Sequence, residues 1–160
     1  MNIQELLAPL TVAGIGVALL CGFIIGLERQ FSGKPVGIRT CCLICLGTYT
    51  FILAGQVSGG ESGDPTRIMG QLITGIGFIG AGVILSRGGV VVGITSASVI
   101  WILAGIGILV ALEKYTAALI LSVIVVSILK GVTVLEHLFT FLGKGIYSKF
   151  SKFKEGSNGG

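Results

Sequence analysis

The sequence predicts an all-α membrane protein: a polytopic bundle of about five transmembrane helices, followed by a C-terminal amphipathic helix at the interface. Three observations carry that expectation. Only 11% of the 160 residues are charged and 52% are hydrophobic, against roughly 25% charged in a soluble domain. The few charges cluster between long uncharged stretches, several of which reach the ~20 residues needed to cross about 30 Å of hydrocarbon. The 27 glycines fall largely inside those stretches, where small residues let helix backbones approach one another closely. Residues 1–135 therefore read as one transmembrane domain, and residues 136–160 as a cytoplasmic amphipathic helix with a flexible tail.

The first span is expected over residues 10–27. Residues 1–9 before it hold Glu5 and no basic residue, so the basic n-region of a cleavable signal peptide is missing. Along one face of this span Gly14, Ala18, Gly22 and Gly26 recur every fourth position. The second span, residues 40–57, contains Cys41, Cys42 and Cys45; together with Cys21 they lie in apolar runs and read as small buried residues. The third, residues 66–85, is announced by Asp64 as N-cap and Pro65 at the first helical position. It carries a second small-residue face, Gly70, Thr74, Gly77 and Ala81. The two small faces are expected to pack against each other or across an oligomer interface, which makes a homodimer an expectation.

The fourth span is expected over residues 90–112 and the fifth over residues 115–135. Lys130, near the end of the fifth, reaches the interface by snorkelling. Beyond it Leu135, Leu138, Phe139, Leu142, Ile146, Phe150 and Phe153 recur at spacings of three and four, with Lys144, Lys149 and Lys152 off that stripe. Such a helix suits an anionic leaflet or the surface of a cytoplasmic protein.

The connecting charges alternate. Glu28, Arg29, Lys34 and Arg39 follow the first span, Glu61, Asp64 and Arg67 the second, Arg87 the third, and Glu113 with Lys114 the fourth. Lys144, Lys149, Lys152 and Lys154 follow the fifth. Basic residues on alternate sides predict five spans with the N-terminus outside and the C-terminus in the cytoplasm.

In that topology Glu28, Arg29, Gln30, Arg39, Thr40, Thr95, Ser96 and Ser98 share the cytoplasmic face. They are expected either to form a polar pocket or to serve as ordinary interfacial anchors; ionisable groups this close to a bilayer are costly and often functional. Catalysis has no support. His137 is the sole histidine and lacks a nucleophile or carboxylate in a motif around it. No zinc signature, nucleophile elbow, dinucleotide fingerprint or phosphate loop is present. No metal, cofactor or nucleic-acid partner is expected, and a single carboxylate is thin for an Mg²⁺ site.

Several blocks, taken in order, resemble the MgtC/SapB family of bacterial inner-membrane proteins. They are Gly22-Phe-Ile-Ile-Gly26-Leu-Glu28-Arg29-Gln30, Gly37-Ile-Arg39-Thr40, Arg67-Ile68 with Gln71, Gly75-Ile-Gly77-Phe78-Ile-Gly80-Ala81-Gly82-Val-Ile84, and Gly93-Ile-Thr95-Ser96-Ala97-Ser98-Val-Ile-Trp101. The resemblance implies signature positions at Glu28, Arg29, Arg39, Thr40, Asp64, Arg67, Gln71, Phe78, Thr95 and Trp101. It also implies a non-enzymatic inner-membrane regulator linked to magnesium limitation and virulence, with the F-type ATP synthase as an expected membrane partner. The alternative is a small-solute or cation transporter using the polar pocket. Two departures stand out. Longer members add a C-terminal domain similar to ligand-binding ACT modules, which is expected to be lacking here, and Ile-Thr-Ser-Ala-Ser replaces the more usual Leu-Thr-Thr-Ala-Ala.

Overall fold

The computed structural model of the chain describes residues 8–58, 65–87 and 90–138. These form five helices: α1 (Val12–Phe31), α2 (Ile38–Ser58), α3 (Pro65–Val83), α4 (Ile94–Ala111) and α5 (Tyr115–Leu138). A short antiparallel hairpin, β1 (Leu85–Arg87) and β2 (Val90–Val92), joins α3 to α4 and pairs Leu85 with Val92 and Arg87 with Val90. Packing is described within the unit Met1–Val126; the second unit, Ser127–Gly160, contributes the helical residues to Leu138. Most of the expected amphipathic tail lies outside the described residues, as does Asp64.

The all-α expectation holds. Four segments, Val12–Phe31, Ile38–Val57, Ile94–Ala111 and Tyr115–Val132, are long and apolar enough to cross a bilayer. The 19-residue α3 falls short of that measure because it carries Arg67, Gln71 and several glycines. Geometry nevertheless makes it traverse. Arg29 at the end of α1 touches Ser96 at the start of α4, so those two ends lie on one side. Following α2 away from that side, α3 must return to it before α4 begins. At 1.5 Å per residue it is roughly 28 Å long, enough to cross.

The core is built by α1, α2 and α4, through Ala18, Cys21 and Ile25 of α1, Cys41, Cys45 and Ile52 of α2, and Ile100, Leu103 and Ile106 of α4. A Cβ on Gly22 would stand 2.6 Å from the Cα of Cys42, and one on Gly26 would stand 2.5 Å from the Cα of Ile38. The small face of α1 therefore meets α2, backbone against backbone. Of the two arrangements expected for the small faces, against each other or across an oligomer interface, the first is not the one α1 makes, since its face is taken up by α2. A Cβ on Gly70 or Gly77 of α3 would meet nothing within 4 Å, and Thr74 and Ala81 are exposed. At the opposite end of the membrane unit, Thr11 caps α1 by accepting from the Gly14 N–H at 2.9 Å, and its own N–H donates to the Tyr49 hydroxyl at 2.9 Å.

The hairpin corrects the start of the fourth span from residue 90 to Ile94. Val90, Val91 and Val92 are β-branched and suit a strand. Gly93 then turns the chain with φ +95, and a Cβ there would strike the Val83 carbonyl. In the other direction α1 runs beyond residue 27 to Phe31, and so carries Glu28 and Arg29 inside a helix.

Candidate functional site

The last turn of α1 is where the structure concentrates its buried charge. Glu28 and Arg29 are only 6% and 3% exposed. Consecutive helix positions do not normally face each other, yet burial against α2 and α4 turns both side chains inward. Their closest approach, Arg29 Nη1 to Glu28 Oε2, is 3.6 Å, an ion pair without hydrogen-bond geometry. Ser32 donates its hydroxyl to Glu28 Oε1 at 2.7 Å. Arg29 Nη2 donates to Ser96 Oγ at 3.4 Å across to α4. Glu28 Oε2 and Arg29 Nε make no hydrogen bond. A buried ion pair with unmet donors and acceptors does little for stability. Such pairs close to a bilayer are functional candidates.

The other residues of the expected pocket do not join this pair. Gln30, Arg39, Thr95 and Ser98 are exposed. Gln30 Oε1 accepts from the Ile38 N–H at 3.4 Å and so caps α2, while Ser98 returns its hydroxyl to the Ile94 carbonyl at 3.1 Å. The physical reason for the split is helical phase: Ser96, flanked by Thr95 and Ser98, is the one that faces α1. Ser32 is the partner that sequence reasoning does not single out, because a serine after a helix end reads as a cap. Its i, i+4 spacing from Glu28 is the signal that was available.

A second feature is a cavity of about 640 Å³ between α2 and α3, lined by apolar residues including Leu43, Ile44, Phe51, Leu72 and Ile76, with Thr40, Thr48 and Gln71 as its polar members. The two helices close on each other where Gly55 meets Ile68. Along the groove a Cβ on Gly47 or Gly75 would point into open space. A smaller cavity of about 410 Å³ lies between α3 and α4, bordered by Gly77, Ala81, Ser98 and Trp101. Phe78 is 79% and Trp101 56% exposed. Arg67 and Gln71 are exposed on α3. Of the signature positions, Arg67, Gln71 and Phe78 on α3 and Trp101 on α4 are exposed around the α3 helix, whereas Glu28 and Arg29 are buried at the end of α1.

Residues 15–138 match the family described as the MgtC family. The chain is 41% identical to Protein MgtC of Salmonella typhimurium strain LT2 over 108 residues, which is 68% of this chain and 46% of that protein. It is 36% identical to Protein MgtC of Brucella abortus strain 2308 over 118 residues, 74% of this chain and 49% of that protein. The chain spans about half the length of these curated relatives. No solved structure matches it.

Proposed function

The chain belongs to the MgtC family, and from that membership we propose that it is a non-enzymatic membrane regulator which receives a transmembrane helix of a partner protein in the groove between α2 and α3. It is an integral membrane protein, by family and by four helices that are each long and apolar enough to cross a bilayer. The observation that carries the proposal is the groove itself: a cavity of about 640 Å³ with an apolar lining and one wall made by a glycine-rich helix. In lipid, helices associate through close packing and a few interhelical hydrogen bonds. An open glycine surface beside Gln71, Thr40 and Thr48 offers both. The resemblance supplies the setting, magnesium limitation and virulence, and the membrane sector of the F-type ATP synthase as the first partner to test.

The regulator sits in the bacterial inner membrane with its N-terminus outside and its C-terminus in the cytoplasm. Supporting this orientation, Lys34 and Arg39 border the end at which Arg29 meets Ser96. The buried Glu28–Arg29 pair favours a second reading, a small-solute or cation transporter in which that pair lines the path.

Filling the groove separates the two. Gly47→Phe and Gly75→Phe place a ring where the glycines have open space, so the protein is expected to accumulate in the membrane at its usual level. Growth under magnesium limitation, in cells that depend on this chain, is expected to fall to that of cells lacking it. Full function from both variants, alongside loss of function from Glu28→Gln, would favour the transporter.

A further inference from the structure

The turn between α1 and α2 sorts its charges. Of its two acid–base neighbours, Glu28 and Arg29 are turned inward and held there by Ser32 and Ser96. The two other cations, Lys34 and Arg39, are exposed. Burial of Glu28 therefore leaves an outer surface carrying cations and no acid among the described residues of this turn. Between them Val36 is 2% exposed and pins the loop, with its carbonyl accepting from Cys41 Sγ at 3.8 Å. On the α1 side the backbone is fixed by Ser32 N–H to the Glu28 carbonyl at 3.0 Å, Gly33 to Gln30 at 3.1 Å and Lys34 to Arg29 at 3.0 Å. Phe31, at the same turn, is 84% exposed.

An exposed aromatic ring at the end of α1, a cation on the fixed loop and a second at the start of α2 match the boundary between acyl chains and charged headgroups. Lys34 and Arg39 are five residues apart, hence within roughly 17 Å at full extension. We propose that this turn is a binding surface for anionic phospholipid headgroups, with Lys34 and Arg39 meeting the phosphates and Phe31 resting in the acyl boundary. Charge complementarity selects the anionic lipid: a zwitterionic headgroup offers the same phosphate but cancels it with its own cation. The hidden Glu28 is what lets the surface act as a cationic one. This inference stands on the α1–α2 turn and is independent of the groove.

The test uses the full chain in detergent, challenged with phosphatidylglycerol or phosphatidylcholine of the same acyl chains, with retained lipid counted by native mass spectrometry. Phosphatidylglycerol is expected to be retained preferentially. Lys34→Gln and Arg39→Gln are each expected to lower that preference roughly fivefold, the factor matching about 1 kcal/mol per cation near an anionic surface. Phe31→Ser is expected to lower retention of both lipids while the preference stays. Lys114→Gln, an exposed cation on the turn between α4 and α5, is the control and is expected to change nothing. Equal retention of the two lipids, or an equal loss from Lys114→Gln, would overturn the proposal. So would displacement of phosphatidylglycerol by millimolar inorganic phosphate, which would mark a phosphate site and no lipid surface.

Discussion

Glu28→Leu is expected to destabilise the protein by about 3–5 kcal/mol, because it leaves the Arg29 guanidinium buried and without its ion-pair partner. Arg29→Met is expected to cost a similar amount by stranding the carboxylate. The informative variant is the double one. Glu28→Leu with Arg29→Met removes both charges from a site 6% and 3% exposed, and is expected to regain most of the stability lost by either single change. Thermal unfolding in nanodiscs reads all three. If the stability returns while function does not, the pair is kept for its role. Additive losses in the double variant would mean that the two side chains act separately and that the 3.6 Å approach has no energetic weight.

Gly26→Ala is expected to lower stability by about 1–3 kcal/mol, the range for forcing an extra group into a packed interior, and Gly22→Ala by a similar amount. The clash in each case is with α2 backbone, 2.5 Å to the Ile38 Cα and 2.6 Å to the Cys42 Cα, and backbone cannot swing aside as a side chain does. Gly70→Ala and Gly77→Ala meet nothing within 4 Å and are expected to leave the unfolding temperature unchanged or slightly raised, since alanine is the better helix former. The same chemical change thus has opposite expected signs on two faces that look alike in sequence. A loss of stability at Gly70 or Gly77 equal to that at Gly26 would show that α3 already packs as tightly as α1.

That contrast shows what could be read from the chain and what could not. Long apolar runs, and Pro65 at the start of α3, were sufficient to place all five helices to within a few residues, because hydropathy and proline's backbone restriction are local properties. A small-residue face is also local, but its partner is not: the spacing Gly14, Ala18, Gly22, Gly26 says that something approaches closely, and only the fold says that it is α2. The hairpin was hidden because Val90, Val91 and Val92 continue the apolar run of α4 without a polar break. Glu28 and Arg29 were legible as candidates by their charge beside a span. Their burial and their link to Ser96, 67 residues away in sequence, depend on how α1 and α4 are phased. Gln30 and Arg39 lie close in sequence to the buried pair, and Thr95 and Ser98 close to Ser96, yet all four fall on the outer side for the same reason.

The regulator reading rests on a partner helix entering the α2–α3 groove, and photo-crosslinking in native membranes tests that most directly. A photoreactive phenylalanine derivative at Leu72 or Ile76, both lining the groove, is expected to give an adduct with a transmembrane segment of the ATP synthase membrane sector, or of another inner-membrane protein that mass spectrometry identifies. The same probe at Ile120, 56% exposed on α5, is expected to give none. Adducts with lipid alone from Leu72 and Ile76, together with Glu28-dependent ion flux from the purified chain in liposomes, would contradict the account.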